Sequence, residues 1–429
     1  MNLCRFLVGA VFIASGFVKA NDPWGTYYKL QDYLVALGVE SLPMAYPFLA
    51  GLALAVFEFS LGLSLFFGIR RATTASLSVL FMAVMTPLTL WLAVANPISD
   101  CGCFGDAVVL TNWETFFKNV VLLAAVLVVH RGQRWLFKLV TYKVDWLIAL
   151  YGIVFIIFFS LYCLRELPVF DFSPFAIGAD IRKGMEVPEG EKLSVLETVY
   201  VCEKDGQQEE FTVDNYPSDS TWHFVEAKTI EKEPGYEPPI RDFSITLQED
   251  GTEVSEEVLA DGNYTFLLVA PYLQMADDSG MDLQNEVYDY CVEHGYRFLC
   301  VTASLGQAVI DWQENTGAEY PFAWMEDATL KSMVRSHPGL VLLQRGVVLN
   351  KWSVNNFPDE FQLSAPLDEL PLGQVNRKSV SRKIGEVLGW FFGPLVMFSL
   401  ADLAWLGRKE RRKGQRGQKD RQETENEQH

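Results

Sequence analysis

Residues 46–69 read YPFLAGLALAVFEFSLGLSLFFGI, an apolar run in which Glu58 is the only charged side chain. About 20 apolar residues in a helix cross the hydrocarbon core of a bilayer, so this stretch predicts a transmembrane helix. Similar runs lie at about 74–95, 114–130, 145–164 and 384–406, and a shorter one, Phe6 to Val18, opens the chain. We therefore predict an α-helical membrane bundle of four N-terminal helices plus two more.

The opening run has two readings. Arg5 before a short apolar core, and Val18-Lys19-Ala20 after it, fit a secretory signal that is cleaved after Ala20. The same residues fit a first helix that stays in the bundle. We expect the retained helix, with cleavage as the alternative.

Charge is strongly segregated along the chain. The net charge is −19, and residues 166–383 hold 39 Asp and Glu against 16 Lys and Arg. This soluble part has no basic face, which excludes nucleic acid as a partner. Basic residues follow alternate spans, at Arg70-Arg71, at 131–143 and at 408–413, and such loops face the cytoplasm. We predict a multi-pass inner-membrane protein whose loops 21–45 and 96–113 and block 166–383 are periplasmic, with a cytoplasmic tail.

The soluble block resembles a thioredoxin-like domain. The matching residues are Pro239 to Phe243, Asp250-Gly251, Tyr264 to Pro271, Ser336 to Leu343, Gly346 and Trp352. The resemblance implies a cis peptide before Pro338, facing the family's Cys-x-x-Cys loop. Residues 271–279 occupy that loop position and contain no cysteine, and a side chain without a thiolate cannot exchange disulfides. The resemblance then implies a redox-silent docking groove for a client protein. The expected binding residues are Tyr272, Asp277, Asp278, His337 and Pro338.

These signals divide the chain into six segments. The expected segments are a membrane domain at 1–132, a cytoplasmic loop and fifth helix at 133–165, a hairpin with a turn at Asp205-Gly206 and a proline-broken connector at 166–237, the α/β thioredoxin-like domain at 238–383, a sixth helix at 384–406, and a disordered tail at 407–429.

Cys101-Gly102-Cys103 lies between the third and fourth spans, on the predicted oxidising side. Two cysteines one residue apart can bridge only if the backbone bends, and Gly102 supplies that freedom. Such a small ring should be easily reduced and therefore exchange-active. A structural bridge to another cysteine, such as Cys163, is the alternative; a metal site is disfavoured because two thiolates do not fill a tetrahedral site. Asp100 and Asp106 flank the pair, and their charge should raise the thiol pKa values.

Glu58 lies near the middle of its span. A carboxylate there is costly and usually faces a bundle interior or a polar cavity. Lys19 is a candidate partner for it. Glu58 has two possible roles: it transfers protons that are coupled to redox chemistry, or it forms a structural hydrogen bond between helices.

The membrane half resembles the DoxX-related family that includes the methylamine-utilisation proteins MauE. The matching residues are Arg5 to Gly9, Ser15 to Lys19, Asp22-Pro23, Tyr33-Leu34, Glu58-Phe59, Leu61-Gly62 and Asp100 to Asp106. The resemblance covers roughly residues 1–130 and implies a four-helix membrane bundle linked to maturation of a disulfide-rich periplasmic protein. It also implies Cys101 and Cys103 as the thiol pair and Glu58 as a core polar residue.

The leading hypothesis is a membrane protein of envelope thiol and disulfide metabolism. Cys101 and Cys103 would pass oxidising equivalents to client proteins held on the thioredoxin-like domain, with electrons leaving to a quinone or an external thiol partner. The alternative is a non-enzymatic, membrane-anchored assembly factor with a structural Cys loop. A transporter with Glu58 as its proton site is a third option, although the sequence shows no inverted repeat.

Overall fold

The computed structural model describes residues 1–426 except 40–41, 99, 193–194, 205–206, 213–221, 234, 237 and 376. Among the described residues, six helices are long and apolar enough to cross a membrane: Asn2–Asn21, Ala45–Phe67, Arg71–Ala95, Asn112–Arg131, Tyr142–Arg165 and Ser381–Trp405. In chain order we label them α1, α3, α4, α5, α6 and, as part of a longer helix, α12. The predicted spans are confirmed, and the chain is a multi-pass membrane protein.

A helix that the sequence analysis did not predict, α2 (Pro23–Ala36), follows α1 directly. The expectation of a plain loop over 21–45 is wrong. Asp22 Oδ1 accepts a hydrogen bond from the Gly25 N–H at 2.8 Å, and Pro23 occupies the first turn, where a missing N–H costs little. Trp24 packs edge-to-face and Tyr27 stacks against Phe48 of α3, each with ring centroids 5.1 Å apart.

Helices α1 and α3 cross at glycines. A Cβ added at Gly16 would lie 2.5 Å from the backbone nitrogen of Phe59, and one at Gly62 would lie 2.6 Å from that of Ile13. Any larger side chain would therefore push the two backbones apart, which is why small residues mark such membrane crossings. The close approach makes α1 the central helix of the bundle, where it also packs against α5 and α6.

The bundle has two chemically different ends. One end, which we call the domain face, carries the C-termini of α1, α4 and α6 and lies against the rest of the chain, as when Asn21 Nδ2 donates to the Phe170 carbonyl at 2.8 Å. Lys19 and Arg165 lie in the last turns of helices that end at the domain face, whereas the opposite face carries a larger group of basic residues. These residues are Arg5, Arg70, Arg71, Arg131, Arg134, Lys138 and Lys143.

The α/β domain, residues 238–375, contains a six-stranded mixed sheet. Its strands are β4 (Thr246–Leu247), β5 (Tyr264–Val269), β6 (Arg297–Thr302), β7 (Phe322–Trp324), β8 (Gly339–Gln344) and β9 (Val347–Ser353), in the order β4-β7-β6-β5-β8-β9. Strand β5 runs parallel to β6 and antiparallel to β8. Alternate side chains of β5 enter two separate buried clusters, so apolar layers cover both faces of the sheet, as its continuous apolar sequence requires.

Helices cover both faces of this sheet. They are α8 (Ser255–Ala260), α9 (Met281–His294), α10 (Gln307–Thr316) and α11 (Asp327–Met333). The His337–Pro338 peptide is cis and directly precedes β8. The predicted thioredoxin-like α/β fold and its cis proline are confirmed.

A separate three-stranded antiparallel sheet precedes this domain, after a short helix α7 (Ile181–Met185). It contains β1 (Val195–Lys204), β2 (Gln207–Thr212) and β3 (His223–Glu233), in the order β2-β1-β3. The hairpin strands β1 and β2 match the prediction, whereas its turn, Asp205-Gly206, lies outside the described residues. Strand β3 corrects the expectation of an unstructured connector. The prolines of that segment flank β3, so none removes an N–H from its ladder.

The C-terminal helix α12 (Arg377–Asn426) corrects the expectation of a disordered tail from 407. The tail is rich in Arg, Lys, Glu and Gln, which are strong helix formers. Because it continues a transmembrane helix, it needs no new helix nucleus. Residues 427–429 lie outside the described part of the chain.

Candidate functional site

Cys101 and Cys103 lie in the loop between α4 and α5, at the domain face. Their sulfurs are 2.9 Å apart, and both are free thiols. Gly102 has a φ of +64°, a left-handed conformation that turns the chain between the two cysteines, and its N–H donates to Asp100 Oδ1 at 2.8 Å. A disulfide needs sulfurs about 2.05 Å apart, so small side-chain rotations would close the bond. The bend expected at Gly102 is present.

A buried polar cluster supports this loop from within the bundle. Lys19 Nζ donates to Glu58 Oε2 at 2.9 Å and to Ser15 Oγ at 2.8 Å, and Ser15 Oγ lies 2.7 Å from the same carboxylate oxygen. Lys19 is 9% exposed and Glu58 is 3% exposed. The carbonyl oxygen of Cys103 accepts hydrogen bonds from Ser15 Oγ at 2.9 Å and from Lys19 Nζ at 3.0 Å. The structure therefore brings together Cys103, Glu58 and Lys19.

The acidic residues that flank the thiols have cationic partners. Lys29 Nζ lies 2.7 Å from Asp100 Oδ2, and the Arg335 guanidinium lies 2.7 Å from Asp106 Oδ2. Each ion pair offsets the negative potential that the carboxylate would impose on the sulfurs. The sequence alone showed the two acids but not their partners, because Arg335 is more than 200 residues away along the chain.

The two thiols differ in acidity. The hydrogen bond from Cys101, with help from the Lys118 and Lys19 charges, lowers the pKa of Cys103 to about 6 although burial opposes it. The same hydrogen bond, together with burial, raises the pKa of Cys101 well above its ordinary value. The expectation that the neighbouring acids raise both thiol pKa values is therefore wrong for Cys103. The pair therefore favours a thiolate on Cys103, and the thiolate is the nucleophilic form.

Helix α2 covers Cys101 and contacts Gly102. Tyr33 Oη lies 3.3 Å from the Cys101 sulfur and donates to the Cys101 carbonyl at 3.0 Å, while the Lys29 side chain packs against Gly102. Cys101 is only 6% exposed as a result. Cys103 is partly exposed.

Two cavities meet this loop. Toward the bundle interior, Cys103 lines a small pocket of about 30 Å³ together with Ser15, Glu58, Lys118 and Asn119, which is room for about two water molecules. Toward the α/β domain, Gly102 lines a cleft of about 770 Å³ between the bundle and α11. Apolar side chains, among them Phe12, Met82 and Leu122, form the rest of the pocket lining. The loop therefore separates a small internal pocket of mixed lining from a wide external cleft.

The cis-proline loop, one side of the predicted client groove, is buried against α2. His337 is 8% exposed, its ring lies 4.2 Å from that of Trp24, and its Nε2 is hydrogen-bonded to Tyr28 Oη. Burial lowers the pKa of His337 to about 4, so its ring is neutral at neutral pH. Pro338 is buried as well. In this conformation α2 of the same chain, rather than a client, lies on this part of the groove.

The other predicted binding residues lie at the edge of the same surface. Tyr272 Oη donates to Asp327 Oδ2. Asp277 and Asp278 are exposed, and the Asp277 N–H donates to the His337 carbonyl at 2.8 Å. The hydrogen-bond partners of Tyr272 and Asp277 are thus Asp327 and His337 of the α/β domain, and the structure does not bring these residues to the cysteine pair.

Arg335 is the most important residue that the sequence analysis missed. Its Nε lies 2.8 Å from Asp22 Oδ2, the cap of α2, and the same guanidinium holds Asp106 of the cysteine loop. It therefore joins the α/β domain to both elements around the thiols. Tyr33, Lys29 and Lys118 were missed too, although Tyr33 belongs to the residues that carry the family resemblance.

The remaining cysteines lie in apolar surroundings. Cys163 is buried in α6 within a cluster that includes Ala20, Phe159 and Val169, so it is not the partner of Cys101. Cys291 and Cys300 are fully buried in the α/β core, where burial raises their pKa values. In the part of the chain that the structure describes, no three His, Cys, Asp or Glu side chains are grouped to hold a metal ion.

Comparison with known proteins agrees with the division into a membrane part and a soluble part. Residues 1–131 match the family described as methylamine utilisation protein MauE, and residues 196–233 match a domain of unknown function, DUF8463. No curated protein matches the chain. The MauE resemblance read from the residues is confirmed for this N-terminal segment.

Several solved structures are similar to the α/β domain. A protein described as a disulfide isomerase from Bacteroides thetaiotaomicron is 21% identical, covers 28% of this chain and 79% of its own, and has a TM-score of 0.23. A protein described as a thioredoxin from Neisseria meningitidis is 19% identical, with coverages of 28% and 82% and a TM-score of 0.24. Peroxiredoxin Q from Xanthomonas campestris is 12% identical, with coverages of 27% and 82% and a TM-score of 0.21.

Proposed function

We propose that this protein is a membrane thiol–disulfide exchange protein whose reactive pair is Cys101 and Cys103. The observation that carries the proposal is the pair itself: two sulfurs 2.9 Å apart, one of them with a lowered pKa, on a loop that a buried Lys–Glu–Ser cluster holds in place. Low thiol pKa and a nearby second sulfur are the requirements of reversible exchange. The MauE match of the same segment supports it.

The exchange proceeds in two balanced steps. A client thiolate attacks one sulfur of the oxidised Cys101–Cys103 bond, forms a mixed disulfide and releases the other sulfur as a thiolate. The client's second thiolate then attacks the mixed disulfide, so the client leaves oxidised and the pair is reduced by two electrons. Transfer of those electrons to a quinone in the bilayer, or to an external disulfide, restores the bond.

We propose that Glu58 and Lys19 accommodate the protons and the negative charge that appear during this cycle. Oxidation of a dithiol releases two protons, and the pocket that joins Cys103 to Glu58 has room for the waters that would carry them. Lys19 stabilises negative charge at the cluster whichever group holds it. We propose Tyr272, Asp277 and Asp278, beside the cis-proline loop, as the edge that contacts the client.

We also propose that the domain face is extracytoplasmic and that the protein lies in the inner membrane. The support is the distribution of basic residues, which collect at the opposite face of the bundle, as cytoplasmic ends do. On that side of the membrane a disulfide persists, because the environment is oxidising.

Trapping of mixed disulfides in intact cells tests the proposal. Cys101→Ser and Cys103→Ser each remove one sulfur, so a bond formed by the other with a client cannot be resolved from within the pair. We expect at least one of the two variants to accumulate a reductant-sensitive adduct after acid quenching and alkylation. Cys4→Ser is the matched control. It makes the same substitution near the start of α1, at the face of the bundle opposite the pair, and should give no adduct.

The second candidate function is a non-enzymatic assembly factor with a structural Cys loop. The burial of Cys101 beneath α2 favours it, as does the absence of cysteine from residues 271–279. A pair that stays oxidised in every growth condition, with no adduct in either Ser variant, would establish this alternative and exclude exchange.

A further inference from the structure

Helix α2 contacts both the cysteine loop and the α/β domain, through two different sets of side chains. Lys29 and Tyr33, one helical turn apart, face the cysteine loop. Trp24 and Tyr28, also one turn apart, face His337. A rigid helix that carries both contacts must transmit a shift at one of them to the other.

The α/β domain holds the N-terminal end of α2 with charge as well as with rings. Arg335 pairs with Asp22 at the start of α2, and Lys331 and Arg335 lie 5.3 and 6.0 Å from the centre of the Tyr28 ring. Cations over an aromatic face attract it. The domain therefore fixes the position of α2 from outside the bundle.

We propose that α2 is a movable cover over the sulfur pair, that the α/β domain sets its position through His337 and Arg335, and that Tyr33 is the residue through which the cover contacts Cys101. The proposal rests on the proposed function for its purpose, since a cover matters where a partner must reach the sulfurs. It explains why a domain without its own dithiol retains a structured cis-proline loop, and why this loop packs on a helix of the membrane half.

Alkylation of the full-length, reduced protein in lipid nanodiscs tests the cover. The probes are iodoacetamide, which is small, and a maleimide on a long polyethylene glycol, which is bulky, with modification of Cys101 and Cys103 read by mass spectrometry. We expect Trp24→Ala and His337→Ala, which truncate the two sides of one contact, to raise the bulky-probe rate about tenfold. Tyr28→Phe, which keeps the ring, should raise it about threefold.

The ratio of the two rates separates uncovering from a change in thiol chemistry. A changed thiolate fraction alters both rates alike, whereas a displaced cover raises the bulky-probe rate more than the small-probe rate. Tyr33→Phe removes a hydrogen bond that lowers the pKa of Cys101, so it should lower both rates at Cys101 alike and leave their ratio close to that of the unchanged protein.

His294→Ala and Trp113→Ala are the matched controls, because they truncate a histidine and a tryptophan away from α2. Rates in Trp24→Ala and His337→Ala equal to those of the unchanged protein, or equal increases in the controls, overturn the proposal. The assay contains no client, so its result is independent of whether mixed disulfides are trapped. If the alkylation rates change as expected but no mixed disulfide is trapped, the exchange function is rejected and the proposal that α2 covers the sulfurs is retained.

Discussion

The bundle and the α/β domain both carry cysteines on well-packed scaffolds, yet their sulfurs have opposite surroundings. Cys103 lies beside a hydrogen-bond donor and two lysines, whereas Cys291 and Cys300 lie among apolar side chains in the sheet core. The first setting favours a thiolate and the second opposes it. The α/β scaffold therefore does not by itself supply its cysteines with surroundings that favour a thiolate. In this chain the polar environment that activates sulfur is in the membrane half.

Cysteine substitutions in the bundle and in the α/β domain should differ most in their effect on the oxidation of a dithiol peptide. We expect Cys101→Ser and Cys103→Ser to abolish oxidation of a reduced dithiol peptide by the oxidised protein in a single turnover. Cys291→Ala should leave that oxidation within about twofold and act only on stability, by up to about 2 kcal/mol. Free-thiol counts on the peptide measure the first effect, and thermal unfolding measures the second. Exchange that persists in both Ser variants would place the chemistry elsewhere.

The second-largest effect is expected from substitutions in the buried cluster of Lys19, Glu58 and Ser15. Glu58→Gln leaves the Lys19 charge buried without its partner, which should destabilise the protein by about 3 kcal/mol or more. Adding Lys19→Met should restore much of that stability because no charge remains buried, but exchange should stay slow. Thermal unfolding in detergent and single-turnover peptide oxidation separate the two results. If the double variant recovers both stability and the rate of peptide oxidation, the cluster contributes only to packing.

The alkylation rate of Cys103 in the bundle should depend on pH differently from the rates of Cys291 and Cys300 in the α/β domain. Only the thiolate reacts, so the Cys103 rate should rise with pH and level off above the lowered pKa of about 6. Below that pKa it should fall about tenfold per pH unit. Cys291 and Cys300, whose pKa values are raised by burial, should stay unreactive at neutral pH. An inflection for Cys103 near 8.5, the ordinary thiol pKa, would contradict the lysine and hydrogen-bond effects.

The smallest effect is expected at the exposed edge beside the cis-proline loop. Asp277→Asn and Asp278→Asn change exposed carboxylates, so stability should move by no more than about 0.5 kcal/mol. If this edge contacts clients, the rate with a protein client should fall severalfold while the rate with a short dithiol peptide stays constant. Equal rates with both substrates in both variants would remove these residues from the client surface.

Periodicity and charge predicted much of the membrane half. The apolar runs located the six spans, and a carboxylate inside one span together with Lys19 in another anticipated the ion pair, because a lone charge in lipid demands a partner. The Cys-Gly-Cys spacing anticipated the bend. These features depend on neighbours in sequence or on a single strong energetic rule, so they can be read without a structure.

Other features depend on contacts that no local rule specifies. The pairs of Arg335 with Asp22 and Asp106 join positions more than 200 residues apart, and His337 reaches α2 only because the domains dock. Helix α2 had a readable signal in Asp22-Pro23, a cap followed by a first-turn proline. Without the docked domain, that signal gave no reason to place a helix over the thiols.

The glycine crossing of α1 and α3 also constrains how the chain is made. A helix that carries Glu58 into lipid alone would meet a cost of roughly 2.5–3.5 kcal/mol, and α1 enters with Lys19 before α3 has been synthesised. The two segments are therefore expected to settle into the bilayer as a joint unit, with α2 left at the surface between them. A bulkier residue at Gly16 would push the α1 and α3 backbones apart, and we expect it to lower the yield of inserted protein before any redox partner is met.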